Sequence, residues 1–175
     1  MTTADCVKEQ STQHYLGPGN GHGKVEPHEQ VIFAVFETMD RDGTGTRLQA
    51  TAFSSKQLKR HEFSLGRLSY LTKSELQKQI VAPQTSTRGP LVGIARAEVK
   101  ALRDLNFSLE GITCRAVCVT DKVTKLDFDA HAVLGYSESQ DGLKPKKKES
   151  IRAVIQANLA ETFGDLISID AVFAA

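Results

Sequence analysis

The stretch "TCRAVCVTDKVTKLDFDAHAVLGYS" (Thr113–Ser137) decides the fold. It contains two apolar, β-prone runs of strand length, "TCRAVCVTD" and "DAHAVLGYS". The short link around "KVTK" has no room for a crossover helix, so the runs pair as an antiparallel hairpin. Alternation along the second run puts Asp129, His131, Val133 and Gly135 on one face, and Phe128, Ala130, Ala132 and Leu134 on the other. The same rule puts Cys114, Ala116 and Cys118 on one face of the first run, as small thiols packing a sheet.

Working outward, "QVIFAVFETM" (Gln30–Met39) reads as a strand, "DRDGTGT" as a turn, and "RLQATAF" (Arg47–Phe53) as a second strand completing a hairpin. The turn has the acidic start of a calcium loop, but Thr51 stands where the bidentate Glu belongs, so it reads as a plain acidic turn. "HEFSLGRLSYL" (His61–Leu71) fits a short strand or a loop. "TKSE" is a capping box that starts a helix at Thr72, running to about Val81 and ending before Pro83. "LVGIA" reads as a short strand and "RAEVKALRDL" as an amphipathic helix. "ESIRAVIQANLAETFG" is the clearest helix, with Ile151, Val154, Ile155, Leu159 and Phe163 on one face and Gly164 at its end. "LISIDAVFA" closes the chain as a strand.

Strands with irregularly placed helices predict a single α+β domain over 29–175, with a mainly antiparallel sheet and about three helices. Residues 1–28, with "GPGNGHG", read as a flexible N-terminal arm that a partner could order. The 22 basic and 21 acidic residues leave a net charge of +1, which excludes a strongly basic nucleic-acid binder. No apolar run is long enough to span a membrane and no signal peptide is evident. Three cysteines fit a reducing cytosol better than a disulfide framework, which predicts a cytoplasmic protein.

Two segments carry chemistry-bearing residues. "KRHEFSLGRLSY" supplies His61, Ser64, Arg67 and Tyr70, and "LDFDAHAVLGYSES" supplies Asp129, His131 and Tyr136. If they converge, one imidazole could act as base, the other as acid, and Arg67 could hold developing negative charge. The spacing departs from a two-histidine phosphoesterase, which has paired His-x-Thr/Ser motifs. The bland alternative is a strand histidine with a satisfied hydrogen bond and an exposed charged turn. "KPKKK" offers Lys144, Lys146, Lys147 and Lys148 as a loop before the last helix, whose cap would be Glu149 and Ser150. No metal or cofactor motif is present.

The ordered pattern "ATAF", "FSLGR", "VKALRDL" and "AHAVLGY" resembles a group of small bacterial proteins without an assigned activity. The resemblance spans roughly residues 30 to 137 and implies that Phe53, Ser64 and His131 are more than incidental. Gly66 and Arg67 stand where that pattern has an acidic residue.

These readings favour a cytoplasmic bacterial protein that acts by binding, as a partner or accessory subunit of a multi-protein system or as a homo-oligomer. The alternatives are a small hydrolase or transferase acting on RNA or a nucleotide through His61 and His131, and a nucleic-acid binder using the Lys144–Lys148 loop.

Overall fold

Period-two burial organises the chain around one sheet. The computed structural model describes residues 24–121, 130–137, 140 and 143–174. Its strands are β1 (Gln30–Phe36), β2 (Phe63–Arg67), β3 (Leu91–Glu98), β4 (Asn106–Leu109), β5 (Ile112–Arg115), β6 (Val117–Asp121) and β7 (His131–Tyr136). Five of them form an antiparallel sheet in the order β3-β1-β2-β7-β6, and β4 and β5 form a separate hairpin. The fold is a mixed α+β domain, mainly antiparallel. The 24–28 segment, read as the end of an arm, is held in the domain: Val25 is buried and its carbonyl accepts from Arg103.

The hairpin that decided the fold is present, pairing Val117↔Tyr136 through Asp121↔Ala132. Its first run, however, splits at Ala116, with Cys114 in β5 and Cys118 in β6. The two cysteines therefore do not share a strand face. Cys118 is buried and disulfide-bonded, which corrects its reading as a small thiol, whereas Cys114 is free and half-buried.

One sheet face carries Val31, Val35, Phe63, Leu65, Ala95, Val117, Ala132 and Leu134. It is covered by α4 (Val99–Arg103) and α5 (Pro145–Phe163), which bury Leu102, Ile155, Leu159 and Phe163. The opposite face carries Ile32, Ala34, Phe36 and Ile94. A helical stretch covers it, made of α2 (Lys73–Glu75), a π-helical segment (Leu76–Val81) and α3 (Ala82–Arg88), together with α6 (Ile169–Val172). No helix among the described residues is long and apolar enough to cross a membrane.

Several expectations change, each for a physical reason. "RLQATAF" is not a strand: after the Arg41↔Leu48 bridge comes a 3-10 turn, then α1 (Ser55–Arg60), capped by Ser54. Leu48 and Phe53 enter the same core cluster, which an odd separation in one strand would forbid. The capping box of Thr72 and Glu75 forms, yet the helix passes Pro83. The π turn of Leu76–Val81 closes through the Ala82 amide on the Gln77 carbonyl, and Pro83 then falls in the first turn of α3, where its missing N–H is tolerated. β3 extends to Glu98 because Ala95 and Ala97 pack inward, shortening the following helix. α5 starts at Pro145, whose fixed φ suits the first helical position, so Lys146, Lys147 and Lys148 lie inside the helix rather than in a loop, with Lys144 at the N-cap. The terminal run makes one bridge, Ile94↔Ile167, and then turns helical under the Ser168 cap. Helices are accordingly more numerous than the three expected.

A buried ionic clamp joins one end of the sheet. The Arg67 guanidinium is fully buried. Its Nε donates to Glu29 Oε2 at 2.8 Å, Nη2 donates to Glu29 Oε1 at 2.7 Å, and Nη1 donates to Asp121 Oδ1 at 3.0 Å. Burial alone would raise the Glu29 carboxyl, but hydrogen bonds from Arg67 and the Glu26 amide, with attraction to Arg67 and His28, hold it below its ordinary 4.5. Breaking a buried pair from one side leaves an uncompensated charge. Glu29→Ala should therefore lower the unfolding free energy by about 3 kcal/mol at neutral pH, measured by urea denaturation. Because the folded-state value is depressed, that stability is present above 4.5 and lost as pH falls below it, so variant and wild type should converge in acid. A gap independent of pH contradicts this account.

Candidate functional site

The ladder between β1 and β2 contains two pairs, Val31↔Arg67 and Ile32↔Gly66. Beyond them the strands part. Phe33 and Ala34 on one side, and Ser64 and Leu65 on the other, line a cavity of about 490 Å³. β2 keeps its other edge paired with β7 from Phe63↔Leu134 to Gly66↔His131, so the opening lies within the sheet. Aromatic rings fill the space beneath: Phe33 and Phe63 lie 4.6 Å apart, and Phe53 stacks on Phe63 at 5.3 Å. Ser64 is solvent-exposed although it sits on a central strand.

Leu76, Ile80, Gln84 and Arg88 complete the cavity from the helical side at a spacing of four, with Gln79 beside them. The π segment places Gln79 and Ile80 against the fork, and π turns recur at functional sites. Gly66 makes the approach possible. A Cβ there would lie 3.1 Å from Leu71 Cδ2 and 3.5 Å from Ile80 Cδ1.

The walls are mostly apolar, and the polar lining groups are Gln57, Ser64, Gln79, Gln84, Arg88 and His131. Among the described residues, the side chains of Gln57, Ser64, Gln79, Gln84 and Arg88 make no hydrogen bond or ion pair with the protein. Among the described residues, none that lines the cavity is acidic. No family model, curated protein or solved structure matches the chain. The site must therefore be read from its own chemistry.

Ser64 and His131 are brought together. Ser64 is opposite Val133 and His131 opposite Gly66, a diagonal relation of roughly 7–8 Å on one face. His61 is the left-handed C-cap of α1 (φ 54°), and its ring lies against Gly135 on that same face. His131 and Gly135 are four residues apart on β7, about 13 Å along the strand, so the imidazoles do not form a close acid–base pair. Arg67 is on the opposite face in its clamp, with the Tyr70 ring 4.7 Å from its guanidinium carbon. Tyr136 faces the main core, donates to Ser55 Oγ at 3.4 Å, and lies beneath Arg152 at 4.8 Å. Burial raises its phenol above 10.0, against the opposing pull of Ser55 and Arg152. Lys146, Lys147 and Lys148 lie in the first turn of α5 and do not line the cavity. Asp129 lies outside the described residues.

Sequence reasoning missed Gln84 and Arg88 because Pro83 reads as a stop. The signal was there in the four-residue spacing from Leu76 to Arg88.

A Cβ at Gly135 would meet His61 Nδ1 at 2.3 Å. Gly135→Ala should displace the imidazole and lose about 1–3 kcal/mol of stability, as overpacking does. Denaturant unfolding together with the His61 ring resonances checks this. Unchanged stability with unchanged resonances contradicts the packing described.

Proposed function

We propose that the protein acts by binding, and that its ligand is a small amphipathic carboxylate held in the cleft between β1 and β2. The supporting observation is the interrupted ladder, which leaves a cavity with apolar walls, into which Gln57, Ser64, Gln79, Gln84 and Arg88 bring side chains with no protein partner among the described residues. Its volume of about 490 Å³ falls in the range of small-molecule sites. An alkyl or aryl body would lie against Ile32, Phe33, Leu65 and Ile80. The carboxylate would meet Arg88, which can form a charge-assisted pair and has no acid beside it among the lining residues. Glu37 lies beside Gly89 but makes no ion pair with Arg88.

Other readings have less support. The large exposed apolar residues among those described, Tyr70, Val92, Ile112 and Val154, lie on separate elements and do not form one patch for a partner subunit. A hydrolase or transferase working through His61 and His131 would need them closer together, and would need Arg67 on their face. A cytoplasmic setting rested on the cysteine count, and the Cys118 disulfide weighs against that argument.

Isothermal titration with octanoate, and with octanol as the uncharged analogue, tests the reading. Octanoate should bind wild type about tenfold more tightly than it binds Arg88→Gln, corresponding to about 1.4 kcal/mol. Octanol should not distinguish the two proteins. Absence of octanoate binding, or equal binding by the folded variant, would overturn the proposal.

A further inference from the structure

A second groove lies between α1 and the start of α5, lined by Ser55 and Lys59 from one and Lys148, Glu149, Arg152 and Gln156 from the other. We infer that this groove binds the sugar–phosphate backbone of a nucleic acid. The fold unites two basic runs separated in sequence, Lys56, Lys59 and Arg60 of α1 with Lys144 to Lys148 and Arg152 around α5. In a chain of net charge +1, three of these cations, Lys59, Lys148 and Arg152, line one groove, while Lys147 pairs with Glu110.

Three observations point to an anion. Among the described residues, Lys59, Lys148 and Arg152 make no ion pair, and Glu149 is the one acid lining the groove. Arg152 is set in place: its Nε donates to Gln140 Oε1 at 3.2 Å and its guanidinium stacks on Tyr136. Both Nη groups are left without a protein partner among the described residues. Finally, α5 is 19 residues long, and its N-terminus has no side-chain cap and no acid in its first turn. Lysines at that end are disfavoured by the helix dipole, and a bound anion relieves the repulsion while accepting from the open amides.

The cations run along two elements instead of converging on one point, which fits charges repeated along a backbone better than a lone phosphate. No aromatic residue among the described residues lines the groove, and the Tyr136 ring beneath Arg152 is buried in the core, so bases have no stacking platform there. Binding is therefore to phosphates, independent of sequence and steeply dependent on salt.

Fluorescence anisotropy of a labelled RNA or DNA duplex with the full chain tests this between about 50 and 200 mM salt. The double variant Lys59→Gln/Lys148→Gln should bind at least tenfold more weakly. Its slope of log K against log salt should be shallower by about two. Arg152→Gln should weaken binding further, and circular dichroism distinguishes this from misfolding. The lysine pair, with Lys59 exposed and Lys148 half-buried, carries the test if Arg152→Gln unfolds. No binding at the lowest salt, or wild-type binding by the lysine variant, would overturn the inference. Equal competition by polyglutamate of matched charge would assign the groove to acidic proteins and also overturn it.

Discussion

A guanidinium removed entirely from water must have its charge met by the protein, and Arg67 meets that demand with Glu29, Asp121 and the Lys24 carbonyl. The arrangement ties three parts of the chain to one end of the sheet. Glu29 precedes β1, Arg67 ends β2, and Asp121 ends β6. It also fixes register, since Arg67 is opposite Val31 and a one-residue slip would turn its side chain to the other face. Such a slip would leave three charges without partners, at a cost exceeding that of ordinary mispacking.

The clamp closes the β1–β2 ladder at one end and nothing closes it at the other. β1 is held on its far side by β3 through seven residues, and β2 by β7 through four. Two rigid halves therefore meet at two residue pairs and then part. The rings of Phe33, Phe53 and Phe63 fill the space below, while Leu76, Ile80, Gln84 and Arg88 stand above. The cleft is built by secondary structure on all sides, which suits a binding site whose shape must persist without its ligand.

The sequence made the local parts of this fold legible. Strand alternation in "DAHAVLGYS" foretold which residues of β7 face the main core, and "TKSE" foretold a cap that the structure forms. Ser64 and His131 were readable as neighbours of interest and do share the cleft. Non-local choices were hidden. "RLQATAF" alternates like a strand, but β1 had a better partner in β3, which pairs with it from Gln30 to Phe36 with one register shift between Val35 and Phe36. Arg67 looked catalytic because its two carboxylate partners lie 38 and 54 residues away. Pro83 hid the far wall of the cleft, because the residue that normally ends a helix here follows a π turn and falls in the first turn of α3.

The account centres on the cleft as an occupied space, and the most direct test is to locate a ligand in it. Isotope-filtered NMR with carbon-13 octanoate should give intermolecular contacts from the alkyl chain to the Ile32, Leu65 and Ile80 methyl groups and to the Phe33 ring. Contacts confined to other surfaces, or none at saturating ligand, would contradict it.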